Sequence, residues 1–476
     1  MHNTDAAPIG AEWQCSSIWG RRCGSGEWTD QVSPLNGMLI QRARLLDAAE
    51  ISELLQQQTP SEPIDNTSLR RFCSRLHETL QALYPSILEA TQWETAFTRG
   101  DCEEVASSCL EYVKGFPEYL DSLPRTQPAE SGYQDAGCRR KIRLLDVPWG
   151  TVAVILPQSA FLCLALTCLL NALAAGNRVI LRAPVQSARS AGLLCLALEG
   201  AQPPGDYVSV ALASARPFMA ALCQSSEPFL IHYLGSSSHA PGILSSCFEA
   251  GKQVLIDGEG NTWVWVDADV PPDHACDILT SGALRYNGQT CTSINGAIIH
   301  PATYNQIKER LATRWRELAF GNPLEADVRV GPLLSDTQAQ HCISRIENSG
   351  AKVLAGGHRH ENLLSPTLAA EPLEDSELVS QGLFGPALWI APGDLDRFMA
   401  LWRRNCYPLC AGVLTSSNAF EHYLDRMPNL ARLVVNGDPS VEYMYEPWGG
   451  YPATGTNTVS HWHRKYLRSV QVDCTD

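Results

Sequence analysis

An α/β fold built on a doubly wound, mainly parallel sheet is what this sequence predicts, and three observations predict it. Short β-branched runs alternate with helical runs between residues 150 and 260, the alternation resumes after 260, and 45% hydrophobic against 18% charged residues supply a large core. Strand–helix units of this length require right-handed crossovers and a sheet covered on both faces, with ligands at the carboxyl ends of the strands. A chain of 476 residues divides into about two or three domains.

The first 60 or so residues interleave Gly, Ser, Pro and Trp and are expected to form an extended, packed segment. From Leu69 the apolar positions Leu69, Phe72, Cys73, Leu76, Leu80 and Leu83 fall at helical spacing, with Asn66 to Ser68 as cap candidates. Asp101 and Glu104 form a capping-box pattern before a helix through Val105, Cys109 and Val113. Thr151 to Leu156 reads as a strand buried on both faces, and Ala160 to Gly176 as an apolar helix stopped by Gly176 and Asn177. That run is shorter than the roughly 20 residues a bilayer needs and contains Thr167 and Asn171, so it is read as a buried helix. Strands follow at Arg178–Leu181, Tyr207–Leu212, Pro228–Leu234 and Gln253–Ile256, with helices at Ser187–Leu198, at Arg216–Gln224 and through Ile243 and Phe248. Beyond them come a strand at Trp263–Val266, a helix through Ile278 and Leu284, a turn at Tyr286–Gln289, a strand at Ala297–Ile299 and a helix at Tyr304–Leu318. These predict a second α/β domain running to about residue 440.

A net charge of −15 excludes nucleic-acid binding by bulk electrostatics. The 17 cysteines are odd in number, spread from Cys15 to Cys474, and include no CxxC pair. This spacing points to a reducing compartment, without a disulfide framework and without a metal site. The start, MHNTDAAPIGAEWQ, lacks a basic stretch followed by an apolar one, so no secretory signal is expected and a cytoplasmic location is.

Cys291 stands in the setting most like a nucleophile's. It follows Tyr286-Asn287-Gly288-Gln289-Thr290, a glycine-bearing turn between a predicted helix and a predicted strand, where free backbone N–H groups can face a bound oxygen. Its surroundings carry a resemblance. NGQTCTS, with LNALAAGNRVILRAP at 170–184, QPPGDY at 202–207, FGNPLEADVRVGPLLS at 320–335, LFGPAL at 383–388 and EPWGGYPATG at 446–455, resembles the aldehyde dehydrogenase superfamily in the family's own order, over residues 65–476.

The resemblance implies a three-part subunit. A Rossmann-type nucleotide-binding domain is formed by 1–136 and 148–257, a catalytic thiol domain by 258–440, and a β oligomerisation arm by 137–147 and 455–476, giving a homodimer or homotetramer. It also implies the chemistry. A cysteine thiolate adds to an aldehyde, the adduct gives a hydride to NAD or NADP, and the thioester passes to water, CoA or phosphate, or the sequence runs in reverse.

Carried over residue by residue, the resemblance makes Cys291 the nucleophile and places Leu156, Pro157, Gln158, Pro184, Gly205, Gly235, Ser236 and Phe384 at the cofactor. Ser159 stands where an asparagine amide usually donates to the oxyanion, and a hydroxyl has one donor only. Arg182 replaces the lysine at the adenosine ribose and Val185 the nearby glutamate, which makes NADP as acceptable as NAD. Gly382 replaces the glutamate that anchors the nicotinamide ribose. The hydrolytic glutamate of the family falls on Leu255, Ile256 or Asp257, of which Asp257 alone can act as a base.

GEGNTWVWVDADV at 258–270 is similar to glutamyl-phosphate reductases and CoA-acylating aldehyde dehydrogenases, whereas NGQTCTS is closer to the hydrolytic members. The expectation is an NAD(P)-dependent interconversion of an aldehyde with its acyl-level partner, leaning to reduction of an acyl thioester or acyl phosphate, with CoA or a carrier protein as partner. Hydrolytic oxidation to an acid and a non-redox structural or regulatory subunit are the alternatives. His461-Trp462-His463-Arg464-Lys465 is expected on a solvated or subunit-contact surface, His239 on the surface after a helix cap, and Trp263 and Trp265 in packed strand positions.

Overall fold

The computed structural model describes residues 10–56, 64–122, 129–135, 138–227, 229–417 and 424–475. The expectations that touch residues 1–9, Pro228 and 136–137 lie outside these described residues.

The first of two seven-stranded sheets contains β1 (Ser16–Ile18), β2 (Arg21–Cys23), β3 (Thr151–Ile155), β4 (Arg178–Ala183), β5 (Val208–Leu212), β6 (Phe229–Leu234) and β7 (Gln253–Asp257), in the order β7-β6-β3-β4-β5-β1-β2. The five strands from β3 to β7 are parallel, while β1 pairs antiparallel with β5 and β2 antiparallel with β1. Every residue of β3, β4 and β5 is buried, which is why these strands read as unbroken apolar runs. The helix Phe161–Ala174 is buried on almost every side, and its Asn171 amide nitrogen donates to the Tyr112 hydroxyl at 2.7 Å and the Thr167 carbonyl at 2.8 Å. No helix among the described residues is long and apolar enough to cross a membrane.

Three local expectations are corrected. The amino-terminal stretch is not merely extended, since β1 and β2 close the edge of the first sheet. The helix Asn66–Ala82 is capped by Asp65, whose carboxylate accepts from the Ser68 amide at 2.9 Å, one residue before the expected cap. The helix Arg99–Ser122 begins at Thr98, whose hydroxyl donates to Asp101 at 2.7 Å and accepts from its amide at 3.3 Å, so the box is Thr98–Asp101 rather than Asp101–Glu104.

The second sheet contains β8 (Thr262–Val266), β9 (Ile294–Ile299), β10 (Lys352–Ala355), β11 (Thr367–Ala370), β12 (Ala387–Pro392), β13 (Cys410–Leu414) and β14 (Arg432–Val435), in the order β10-β11-β12-β9-β8-β13-β14. All but edge strand β10 are parallel to their neighbours. Trp263 is fully buried and packs edge-on to Trp389 and Trp402 at 5.3 and 5.8 Å, as core packing requires. A separate three-stranded antiparallel sheet joins Leu467–Thr475 to Cys138–Pro148 and the latter to Ala129–Asp135. Residues 454–457 return against β7, where the Gly258 amide donates to the Thr454 carbonyl at 2.7 Å and the Thr456 amide to the Ile256 carbonyl at 3.1 Å. The carboxyl ends of β3, β6 and β7 thus meet the loop that precedes β9.

Candidate active site

A cavity of about 880 Å³ lies at this junction. Pro157, Gln158 and Ser159 enter it from the end of β3, Gly235 and Ser236 from β6, Asp257, Gly258 and Glu259 from β7, and Cys291 and Phe384 from the second sheet. Of these, all but Gly258 and Glu259 are sequence-predicted site residues, and the fold brings them to one cavity.

Cys291 follows a backbone turn in which Tyr286 and Asn287 both take left-handed angles, at φ 54° and 57°. Asn287 is fully buried and holds that turn by donating to the Ala96 and Pro332 carbonyls at 3.0 and 3.2 Å and accepting from the Gly331 amide at 2.9 Å. The buried Gln289 accepts from the Leu334 amide at 3.1 Å and fixes the next residue but one. On the other side, a Cβ at Gly260 would stand 2.0 Å from the Cys291 carbonyl oxygen, so only glycine permits this approach. Burial pushes the Cys291 thiol well above its ordinary pKa, and the carboxylates of Glu442 and Asp257 push it further. Cys291 is thereby held as a protonated thiol at neutral pH.

Ser159 is half-buried on the cavity wall, and the neighbouring Gln158 donates to the Glu94 carbonyl at 2.8 Å. Glu442, which the sequence reading missed, opens onto the same cavity as Cys291 and accepts from the Thr292 hydroxyl. Glu442 is exposed to the cavity, and its carboxyl is raised above its ordinary value by desolvation from the protein packed around it, against the lowering effect of Thr292 and Arg432. The signal that could have found it is its place four residues before the Glu446-Pro447-Trp448 motif.

Asp257 has to be corrected as the base. Its carboxylate is 8% exposed, accepts from His232 Nε2 at 2.6 Å and Asn457 Nδ2 at 3.0 Å, and lies 3.6 Å from Lys465 Nζ. Burial alone would raise its pKa, but the Lys465 ammonium, then His232 and Asn457, hold it well below the carboxylate range. A carboxylate so engaged is a poor proton acceptor at neutral pH. His232 is pushed down by burial, and a neutral ring meets both contacts by donating from Nε2 to Asp257 while Nδ1 accepts from the Tyr466 hydroxyl at 2.9 Å.

The same network corrects the expectation for the His461–Lys465 run. Trp462 and Lys465 are buried, with the ammonium 4.2 Å from the Trp462 ring centroid; their spacing of three on one helix face was the available signal. His239 is exposed, as expected, and contacts the Tyr233 hydroxyl at 3.1 Å.

Among the expected cofactor positions, Leu156, Arg182, Pro184 and Val185 lie at the carboxyl ends of β3 and β4, on the ligand side. Arg182 is 7% exposed, donates from Nε to the Ala213 carbonyl at 2.8 Å, and is lowered by burial to about 10, so it stays charged at neutral pH. Gly205 is a correction. It sits in an exposed turn ahead of β5, at the amino end of the parallel strands, away from the cavity. Gly382 has φ +68°, and a Cβ there would lie 2.5 Å from both Asn261 Oδ1 and Asn295 Oδ1. The missing glutamate is thus excluded sterically, because two buried amides fill its space.

A parallel sheet with a half-buried cysteine in the cavity at the ends of its strands fits a thiol-dependent α/β enzyme scaffold. The sequence profile of the aldehyde dehydrogenase family matches residues 21–472, and the chain belongs to that family. It is similar to the betaine aldehyde dehydrogenase of Beta vulgaris chloroplasts (26% identity over 396 residues, 78% of this chain and 75% of the relative). It is also similar to the putative aldehyde dehydrogenase AldY of Bacillus subtilis (26% identity, 90% of each chain). Among solved structures, an E. coli NADP-dependent enzyme superposes with a TM-score of 0.88 at 19% identity, covering 97% of this chain and 98% of that one. Aldehyde dehydrogenase 21 of Physcomitrella patens superposes with a TM-score of 0.86 at 17% identity, covering 98% and 99%.

Members of the family are NAD(P)-dependent oxidoreductases. The residues present fit such a dinucleotide at two points. Ser236 begins a 3-10 turn that leads into the helix Ala240–Glu249, which favours an anion, and the Arg182 cation stands at the end of β4.

Proposed function

We propose that this chain interconverts an aldehyde with its acyl-level partner through a thioester on Cys291, and that the partner is an acyl thioester or acyl phosphate rather than a free acid. The single observation that carries the reading is the engagement of Asp257 by His232, Asn457 and Lys465, which makes the carboxylate that ends β7 a poor activator of water. Cys291 supplies the sulfur, and its own amide and the Ser159 hydroxyl on the same cavity wall are the donors offered to the oxyanion. When bound, the nicotinamide accepts or gives the hydride. Arg182, with Val185 in place of an acid, favours NADP over NAD. A cytoplasmic homodimer or homotetramer built through the arm sheet, exchanging its acyl group with CoA or a carrier protein, completes the proposal.

A second reading, oxidation to the carboxylic acid, has its own support. Glu442 places a raised carboxyl in the cavity with Cys291, and the relatives above bear the names of dehydrogenases. Wild type and Cys291→Ala, mixed with NADPH or NADH and a panel of acyl-CoA thioesters, separate the readings by absorbance at the reduced-cofactor band and by protein mass. Cys291-dependent acylation with cofactor oxidation is expected. Aldehyde oxidation releasing free acid, without CoA-dependent turnover, overturns the first reading in favour of the second. Loss of all turnover and of cofactor binding returns the protein to a non-redox role.

A further inference from the structure

The anion seat at the end of β6 already holds an anion of this chain. Ser236 Oγ accepts from the Ser238 amide at 3.4 Å and donates to Glu259 Oε1 at 3.0 Å. The Glu259 amide in turn donates to Ser237 Oγ at 2.9 Å. A Cβ on the preceding Gly258 would lie 2.3 Å from that same oxygen, so the turn after β7 rests directly on the serine loop. Among the described residues Glu259 has no ion-pair partner. The phenols of Tyr233 and Tyr407 are the titratable groups that feel its charge, and His239, close in sequence, is turned to Tyr233 instead.

We propose that Glu259 occupies the seat of the cofactor's pyrophosphate and competes with it, so that the carboxylate must leave Ser236 before the dinucleotide is fully bound. Two like charges cannot share one hydroxyl and one helix start without repulsion, and a diphosphate brings more negative charge than the carboxylate it displaces. The effect compounds the closure at Gly382, where buried Asn261 and Asn295 leave no room for an acidic side chain to anchor the ribose. Glu259 is thereby a determinant of cofactor affinity, acting on a group it does not itself bind. The inference rests on the reading that the cavity takes NAD(P).

Glu259→Gln and Glu259→Ala, as full chains, test it. Gln keeps the shape and the acceptor for Ser236 and removes the charge; Ala removes both. NADPH titrated by its fluorescence, and ADP-ribose by calorimetry as a probe without the nicotinamide, are expected to bind both variants about fivefold or more tightly than wild type, on the scale of a charge at a helix terminus. Inorganic pyrophosphate at millimolar concentration is expected to bind the variants and not wild type. A purely structural Glu259 would lower the melting temperature of the variants without tightening either ligand, and unchanged or weaker binding overturns the proposal while leaving the oxidoreductase reading intact. Failure of wild type and both variants to bind NADPH, NADH or ADP-ribose at millimolar concentration overturns that reading and the proposal with it.

Discussion

Replacing Lys465 by Met breaks a buried ion pair from one side. The Lys465 side chain is 1% exposed and its Nζ stands 3.6 Å from Asp257 Oδ2, beyond hydrogen-bond length, while His232 and Asn457 still hold the carboxylate after the change. Removing one member of a buried pair costs about 3–5 kcal/mol, and the long contact with its remaining partners places this case near 3 kcal/mol. An unfolding entropy of about 2.1 cal/mol/K per residue gives about 1 kcal/mol/K for the chain, so the melting temperature falls by about 3 °C if it unfolds as one unit. Asp257→Asn leaves the ammonium buried without its partner and costs a similar amount. The double variant then loses less than the two singles together by about 2 kcal/mol, because the second change removes a charge the first has stranded.

Scanning fluorimetry and urea titration at pH 7.5 measure all three. Acid adds a signature. Asp257 has a folded pKa below its unfolded value of about 3.9, so its stabilisation is full above that value and fades as pH falls through the folded one. His232, lowered from about 6.5, also binds its proton more readily in the unfolded chain, so stability declines as pH drops below that value. Asp257→Asn flattens the lower part of that decline. Single variants within 1 °C of wild type, or strictly additive losses, would refute the reasoning.

Two further outcomes follow from the cavity. Gly382→Ala forces a side chain into a left-handed backbone against Asn261 and Asn295, so it loses about 2–4 kcal/mol by urea denaturation, and Gly382→Glu fails to tighten NADPH in the fluorescence titration. Tighter binding in a stable Gly382→Glu protein would contradict the steric account. Because burial and Glu442 raise the Cys291 thiol, its labelling by iodoacetamide, followed by peptide mass, is slow at neutral pH and still rising at pH 9, and Glu442→Gln accelerates it. A plateau below pH 7.5 would contradict a thiol protonated at neutral pH.

The central strands β3, β4 and β5 were legible because each is buried on both faces, which makes a central parallel strand an unbroken apolar run that local reading can find. Cys291 was legible because the turn before it needs glycine and an amide-bearing side chain at particular places. The helix starts were displaced by a few residues, since a cap is decided by which oxygen reaches the free amides, and Asp65 and Thr98 reach them better than the neighbours the pattern suggested.

Sequence by itself determined the α/β class, the family, the turn that carries Cys291 and the absence of acids at Val185 and Gly382, because each rests on residue type at a position within a short segment. The tertiary structure alone decided the fate of Asp257. Side chains alternate along a strand, so one step of register separates a cavity carboxylate from a buried one, and its partners His232, Asn457 and Lys465 come from segments 25, 200 and 208 residues away. Gly205 was placed by resemblance alone, although it precedes the strand read at Tyr207–Leu212 and so belongs to the amino end of a parallel sheet whose ligands lie at the other end. The pairing of Glu259 with Ser236 spans 23 residues and two strand ends, and only the parallel register of β6 beside β7 brings them together.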